Sequence, residues 1–269
     1  MMEMTRFRAA TVSDLPDIHK VWWAADPFKA SQDNPWFGHV LRTGSMMVAT
    51  VDERVIGFAG IRQVGATTVV SDCFVDPAEQ ARGVGTGLLS HLLTGGGPVM
   101  TMASRDPKAR SLYSRFGMAP QWECHYVEGD PFRLDGSGGL VGEVSHYPIA
   151  DSDLRHLRDD LGCRLVEAGE GNAALSADAV ESSLVTPSGN PRKTMSEILG
   201  WAAKRGRRKV SLHLSDRHPG FSYLVEADFT LTAVDTLFAS PGAEVPDPTR
   251  TTFNGDILRL DAHAAGRRK

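Results

Sequence analysis

A glycine-rich stretch that opens an apolar helix is the part of this sequence best suited to chemistry. Its residues are Gln80, Ala81, Arg82, Gly83, Val84, Gly85 and Thr86. The first N–H groups of a helix have no partner within the helix, and the helix dipole places partial positive charge beside them. Because glycine lets a bulky anion come close to these N–H groups, the stretch predicts a cradle for phosphate groups.

The spacing of the glycines excludes two familiar phosphate motifs. A P-loop ends in Gly-Lys-Ser/Thr, whereas Gly85 is followed directly by Thr86. A dinucleotide-binding fingerprint counted from Gly83 needs a glycine at the position where Leu88 stands. The pattern that remains is Gln80-x-x-Gly83-x-Gly85.

This pattern resembles the pyrophosphate loop of the GNAT acetyltransferase superfamily, which reads Gln/Arg-x-x-Gly-x-Gly/Ala and lies between a strand and a helix. A second segment, from Asp106 to Met118, is similar to the family's Asn-x-x-Ala-x-x-Leu-Tyr-x-x-x-Gly-Phe stretch. It follows another apolar strand and lies at the expected distance downstream. Two motifs in the right order extend the resemblance over the first half of the chain.

The resemblance implies an enzyme that transfers an acetyl group from acetyl-CoA directly to a primary amine of a small-molecule or peptide-like acceptor. Backbone N–H groups of residues 80–86 would hold the pyrophosphate, and main-chain groups of Cys73, Phe74 and Val75 would pair with the pantetheine arm. Tyr113 matches the family's general acid, which would protonate the leaving CoA thiolate. The alternative for Tyr113 is a buried side chain in the core between helix and sheet.

Asp72 lies in the strand beside the expected path of acetyl-CoA. A carboxylate in a buried strand is costly unless it is paired or functional. We expect Asp72 to deprotonate or anchor the acceptor amine; the alternative is a structural pair with an arginine. The neighbouring Cys73 is expected to be a small buried strand residue and not a nucleophile that carries the acyl group.

One departure from the family pattern concerns Asp106, which stands where the family has an asparagine that contacts the pantetheine. An ionised carboxylate can only accept hydrogen bonds, so that contact would be lost or reversed. Alternatively, Asp106 caps the helix that begins at Pro107.

Apolar and alternating runs predict the elements that position these residues. Val69–Val75 predicts a buried strand ahead of the loop, and Ser45–Val51 with Val55–Arg62 predicts an antiparallel hairpin before it. Thr11 and Asp14 predict a capping box at the first helix. With the resemblance, these elements give an α+β fold of three α/β/α layers around a mixed, mostly antiparallel sheet.

Aromatic residues on the first two predicted helices and between them are candidates for the wall of the acceptor site. In such families this region contributes to acceptor binding, which singles out Trp22, Phe28 and Trp36. The alternative for each of them is packing in the core or in a lid.

The second half of the chain repeats fragments of the first. Ile149–Leu154 is similar to Ala10–Leu15 at an offset of 139 residues, and Val210–Ser215 is similar to Val99–Ser104 at an offset of 111. The repeat is thus shorter by 28 residues, about the length of the predicted hairpin.

The repeat lacks the residues that would hold a cofactor. It has no glycine pattern, and the place of Tyr113 is taken by Leu224. We therefore expect an acetyltransferase domain at residues 1–134, a linker at 135–145 and a degenerate GNAT-like domain at 146–269. The two would form a pseudo-dimer within a monomer. The alternative is an unrelated α+β domain.

Composition excludes several classes of function. The formal net charge of -4 gives no electrostatic basis for nucleic-acid binding, and no polybasic cluster predicts a membrane surface. The three cysteines show no metal-binding spacing, so no metal is predicted, and their odd number fits reduced thiols in the cytoplasm. Two alternatives to N-acetyl transfer are a non-catalytic acyl-CoA-binding sensor or scaffold, and transfer of another acyl group or to oxygen.

Overall fold

The computed structural model describes residues 4–25, 33–134, 141–144, 151–168, 171–175, 182–185, 190–249 and 252–253. The chain forms two compact units that interleave in sequence. Unit 1 comprises Met1–Met102, Pro107–Ala119 and Phe238–Glu244, and unit 2 comprises Ala103–Asp106, Pro120–Leu237 and Val245–Lys269. The domains predicted from the sequence are contiguous, unlike these units, and their boundaries stay a prediction.

The main elements of unit 1 follow the predicted order of strands and helices. They are β1 Arg6–Ala9, α1 Leu15–Ala25, α2 Pro35–Thr43, β2 Ser45–Val51, β3 Arg54–Val64, β4 Thr67–Val75, α3 Val84–Leu92, β5 Val99–Ala103 and α4 Pro107–Arg115. Strands β1 to β4 pair antiparallel with their neighbours, and β4 pairs parallel with β5. The mixed, mostly antiparallel sheet is confirmed.

Two glycines of β3 show that helices cover both faces of this sheet. A Cβ atom at Gly57 would lie 3.1 Å from Val84 of α3, whereas a Cβ atom at Gly60 would lie 3.0 Å from Val40 of α2. Residues three apart on a strand face opposite sides. The predicted α/β/α layering is therefore present in unit 1.

The far end of the chain contributes to unit 1. The backbone N–H of Ser240 donates to the carbonyl oxygen of Val99 at 2.8 Å, and the Val99 N–H donates to the Ser240 hydroxyl at the same distance. The Glu244 N–H donates to Thr67 Oγ1 at 2.8 Å. Residues 238–244 therefore extend a unit that otherwise ends before residue 120.

Unit 2 contains most of the remaining elements. They are β6 Ala119–Gly129, β7 Val141–Glu143, α5 Asp151–Arg155, β8 Arg164–Ala168, β9 Gly171–Leu175, β10 Ser182–Val185, α6 Pro191–Lys204, β11 Val210–Leu214, α7 Gly220–Glu226, β12 Thr230–Ala239 and β13 Thr252–Phe253. Strand β11 pairs antiparallel with β6 and β13, and β7 to β10 form a separate antiparallel sheet. Buried side chains of α6, including Ile198 and Leu199, fill the core with residues of β8, β9 and β11.

The sequence repeat has a structural counterpart at the end of a helix in each unit. After α4, the Met118 N–H donates to the Tyr113 carbonyl oxygen across Gly117, whose φ is +75°. After α7, the Phe229 N–H donates to the Leu224 carbonyl oxygen across Asp228, whose φ is +60°. The two helix ends share one six-residue hydrogen-bonded turn, at the predicted offset of 111.

The 28 residues by which the repeat is shorter do not correspond to one missing hairpin. Three antiparallel strands, β8 to β10, lie between α5 and α6, as β2 to β4 lie between α1 and α3. Shorter strands account for 13 of the 28 residues, because β8 to β10 have 4 or 5 residues each and β2 to β4 have 7 to 11. In the described residues, no helix equivalent to α2 lies between α5 and β8.

Nowhere in the described ranges does a helix combine the length and the apolar character needed to cross a bilayer.

Candidate functional site

The loop between β4 and α3 is held at its first residue by two side-chain hydrogen bonds. Gln80 Nε2 donates to the carbonyl oxygen of Val75 at 3.3 Å, and Lys108 Nζ donates to Gln80 Oε1 at 3.3 Å. A short 3-10 helix, Pro77–Glu79, precedes Gln80, and the Asp76 side chain accepts from its first turn. Gln80 therefore connects the loop to the end of β4 and to α4.

Gly83 is required by backbone conformation and not by packing. It is the residue before α3, and its φ of +81° lies in the left-handed region that favours glycine. A Cβ atom at this position would meet nothing within 4 Å, and no side chain caps the helix start. The loop thus presents the first turn of α3 beside open space, as a phosphate site requires.

The next two glycines serve packing. A Cβ atom at Gly85 would lie 3.3 Å from Leu112 of α4, and one at Gly87 would overlap the ring of Phe7 in β1. Gly87 lies outside the pattern recognised in the sequence. Its partner is 80 residues away in the chain, so no local signal could have identified this contact.

Strands β4 and β5 separate beside this loop. Within the described ranges these strands pair only at Thr68 with Val99 and at Val69 with Met100. At the next position the Thr101 hydroxyl donates to the Val70 carbonyl oxygen at 2.9 Å, so a side chain replaces the strand-to-strand bond. Beyond it, Cys73, Phe74 and Val75 have their register partners on β3. This arrangement gives β4 an edge along which an extended chain could add.

The carboxylate of Asp72 is buried, with 8% of the residue exposed, and Trp36 Nε1 donates to its Oδ2 at 3.0 Å. Asp72 faces Gly60 at an irregularity in the register of β3 and β4. The sequence placed Asp72 and Trp36 independently as a base and as an acceptor-site aromatic. The structure brings the two side chains together.

The thiol of Cys73 is unsuited to nucleophilic attack. Burial, and to a lesser extent the neighbouring Asp72 charge, raise the pKa of Cys73 to about 12. The thiolate is the nucleophilic form of cysteine, and it is scarce at neutral pH when the pKa is this high. Cys73 itself is half-buried, with its Sγ 3.8 Å from the position of a Cβ atom at Gly85, and its role stays a prediction.

Tyr113 lies in α4 with only 6% of its surface exposed. Its ring centroid is 6.4 Å from that of Phe238, at an interplanar angle of 48°. Asp106 is exposed and directly precedes α4, and its backbone N–H donates to Ser104 Oγ at 3.4 Å. The roles of Tyr113 and Asp106 toward acetyl-CoA stay predictions.

The candidate acceptor-site aromatics lie in the core where the structure describes them. Trp36 is completely buried, and Trp22 is 8% exposed and packs edge-on against Phe37 with ring centroids 5.4 Å apart. Phe37 in turn contacts Phe58 of β3 at 5.0 Å. Phe28 lies outside the described residues.

A charged network that the sequence analysis did not single out fixes the turn before the loop. Arg54 bonds to Asp76 at 3.1 Å and to Glu79 at 2.8 Å, and Arg82 bonds to Glu79 at 2.8 Å. The spacing of Glu79 and Arg82, three residues apart on a turn, is the sequence feature from which part of this network could have been predicted. Because both arginine side chains are exposed, these pairs order the turn and add little stability.

Residues 42–117 match the family described as "Acetyltransferase (GNAT) domain". The match contains β2 to α4 with the loop, Asp72 and Tyr113. Comparison with curated protein sequences gives no match.

Solved structures resemble this fold over most of its length. A candidate acetyltransferase from Pyrococcus horikoshii superposes with a TM-score of 0.77 at 18% identity, covering 92% of each chain. The tandem GNAT protein from the clavulanic acid biosynthesis pathway gives 0.62 at 12% identity over 90% of this chain and 100% of the other. A GCN5-related N-acetyltransferase from Sphaerobacter thermophilus gives 0.58 at 14% identity over 90% and 98%. At these sequence identities the similarity to the solved structures shows the fold alone.

Proposed function

We propose that this chain transfers the acetyl group of acetyl-CoA directly to a primary amine of a small-molecule or peptide-like acceptor, since residues 42–117 match the GNAT acetyltransferase domain. The observation that best supports the proposal is the backbone geometry at the start of α3. Gly83 holds a left-handed conformation, no side chain caps the helix, and open space lies beside the backbone. This combination suits a pyrophosphate next to the separating strands β4 and β5.

Different residues of unit 1 bind different parts of acetyl-CoA. Backbone N–H groups in residues 80–86 bind the pyrophosphate, and Gln80 keeps the loop attached to β4. The edge of β4 at Cys73, Phe74 and Val75 pairs with the pantetheine arm, whose amide groups form hydrogen bonds like those of an added strand. Asp106 offers a carboxylate where the family has an amide, so we assign it a place at the helix start and no donated bond to pantetheine.

The chemical step forms one bond and breaks another. The amine nitrogen attacks the thioester carbon, the N–C bond forms, and the C–S bond breaks. Asp72 takes the proton that the amine loses, and Tyr113 gives its proton to the departing sulfur. Proton exchange with water then restores both side chains. Tyr113 suits this task because a phenol is protonated at neutral pH.

Titration calorimetry with acetyl-CoA and with CoA tests the binding half of the proposal. We expect saturation near one equivalent per chain and, for Gly83→Leu, an affinity at least about tenfold lower, because the side chain enters the space reserved for the anion. Gly96→Leu is the matched control, since Gly96 also has a positive φ of +64° and also faces open space. Equal affinity in the two variants would contradict the loop assignment.

The transfer half is tested by CoA release across a panel of primary amines. Release that depends on both acetyl-CoA and an amine supports the enzyme. Saturable binding without release for any amine would instead support an acyl-CoA-binding sensor or scaffold. Two equivalents of acetyl-CoA per chain would show that unit 2 binds it as well.

A further inference from the structure

Trp36 is fixed in the core of unit 1 from several directions. The backbone N–H of Trp36 donates to the side chain of Asn34 at 3.0 Å, and the Asn34 carbonyl oxygen lies 3.2 Å from His19 Nε2 of α1. The indole ring of Trp36 lies 5.3 Å from the ring of His39. The guanidinium carbon of Arg62 lies 5.7 Å from the centroid of the same indole ring. The start of α2 and two neighbouring side chains thus determine where the indole N–H points.

That N–H points at the carboxylate assigned as the base. The bond from Trp36 Nε1 to Asp72 Oδ2 is 3.0 Å long, and both groups are buried. An indole has one donor and no acceptor, so it can hold an ionised carboxylate but cannot exchange a proton with it in this role. A hydrogen bond to an ionised group is about twice as strong as one between neutral groups.

We infer that Trp36 is a positioning residue that acts through Asp72. It holds the carboxylate in the orientation in which Asp72 accepts the proton of the acceptor amine. This inference rests on the proposed acetyl transfer with Asp72 as base. It replaces the expectation that Trp36 contacts the acceptor, because a side chain with no exposed surface cannot line a binding wall.

Trp36→Phe tests the inference, because phenylalanine keeps an aromatic ring and removes the N–H. We expect kcat to fall about tenfold to a hundredfold, the size of a lost hydrogen bond to a charged group, with an unchanged Kd for acetyl-CoA. Trp201→Phe is the matched control, since Trp201 is a tryptophan of α6 with 7% of its surface exposed. That control should keep its kcat.

A double-mutant cycle separates an effect through Asp72 from a general loss of packing. If Trp36 acts through the carboxylate, Trp36→Phe should change kcat little in an Asp72→Asn background. An equal fold-loss in both backgrounds would overturn the inference. Full activity of Asp72→Asn would remove Asp72 as base, and the role of Trp36 with it, while acetyl transfer itself would stand.

A spectroscopic readout does not depend on knowing the acceptor. The chain has five tryptophans, so the indole N–H region of a nitrogen-15 spectrum should hold five signals. We expect Asp72→Asn to move chiefly the signal that Trp36→Phe removes, because the charge at the acceptor oxygen is lost. An unmoved signal would show that the bond is not formed in solution and would overturn the inference.

Discussion

The two units begin comparable helices in opposite ways. Helix α3 of unit 1 starts after Gly83 without a side-chain cap. Helix α6 of unit 2 starts after Asn190, whose side chain accepts from the Lys193 N–H at 3.2 Å, and its first residue is Pro191, which has no N–H. The N–H groups that unit 1 leaves to an anion are thus removed or used by the chain itself in unit 2. An N-terminal helix site depends on the residue before the helix as much as on the helix dipole.

The helices that follow show the same contrast. Helices α4 and α7 end in the same turn, but Tyr113 of α4 is replaced by Leu224, which is completely buried in the core of unit 2. The neighbouring Tyr223 lies within 3.2 Å of the Ser196 hydroxyl of α6. Unit 2 thus has the same turn, but at these positions it has neither the uncapped helix start nor the tyrosine that would serve acetyl transfer in unit 1.

The largest expected difference between the units is catalytic. Tyr113→Phe should lower kcat about a hundredfold, because general acid catalysis contributes about 10²–10⁴ to a rate. The affinity for acetyl-CoA should stay unchanged, since a phenylalanine ring fills the same space. Steady-state kinetics and calorimetry on the same preparation measure both quantities.

Tyr223→Phe is the matched control in unit 2 and should keep full activity. The loss of its hydroxyl removes only the contact with Ser196. If Tyr113→Phe were fully active, Tyr113 would be a core residue, as the sequence analysis left open, and the thiolate would take its proton from elsewhere.

A second difference concerns the response to acid. Burial lowers the pKa of His213 and of His218 from 6.5 to about 4, and the Asp247 charge opposes the shift at His218. In unit 1, hydrogen bonds from Arg8 hold the pKa of Asp14 well below its ordinary 3.8. Between pH 6.5 and 4 the unfolded chain therefore binds more protons than the folded one at these two histidines of unit 2.

This linkage sets the sign of the pH effect. Each histidine contributes stability that is complete above pH 6.5 and is lost as the pH falls toward 4, by about 3 kcal/mol. Protonation of Asp14 destabilises unit 1 only when the pH falls below 3.8, the ordinary pKa of this side chain. We expect protection factors for amide hydrogen exchange, which are corrected for the intrinsic exchange rate at each pH and measured on peptides of each unit, to fall first in unit 2 between pH 7 and pH 5.

His213→Asn sharpens this test. The histidine ring stacks on Tyr126 with centroids 3.8 Å apart, so the variant loses stability at neutral pH, but its stability should change less with pH than that of the original chain. Parallel loss of protection in both units from pH 7 to pH 5 would show that the buried histidines are not the acid-sensitive groups.

The sequence predicted the parts of the site that depend on neighbouring residues. The apolar run of β4 and the glycine spacing indicated a strand, a loop and a helix, and these elements are present. The similarity at an offset of 111 residues relates two parts of the chain in which α4 and α7 end in the same turn. Such features follow from local periodicity and backbone conformation, which a single sequence contains.

Contacts between distant residues could not be predicted in the same way. The bond from Trp36 to Asp72 and the packing of Gly87 on Phe7 join positions that local patterns do not relate. The bonds of Ser240 to Val99 span 141 residues. Pattern analysis identified Trp36 and Asp72 as notable residues, but only their positions in the fold show that one holds the other.

The smallest expected effect tests the contrast between the two helix starts directly. Asn190→Ala should destabilise unit 2 by about 1 kcal/mol, because the Lys193 N–H loses its side-chain acceptor. It should leave the affinity for acetyl-CoA unchanged, since Pro191 still lacks an N–H.

The reciprocal variant Gly83→Asn keeps the left-handed conformation before α3, which asparagine tolerates. A side-chain cap needs an extended backbone at this position, so the new side chain does not cap α3 as Asn190 caps α6. It instead enters the open space beside Gly83, so acetyl-CoA should bind more weakly while the helix is no better capped. Thermal unfolding and calorimetry on the two variants distinguish these outcomes. If Gly83→Asn bound acetyl-CoA as tightly as the original chain, the open space beside Gly83 would not be where the pyrophosphate binds.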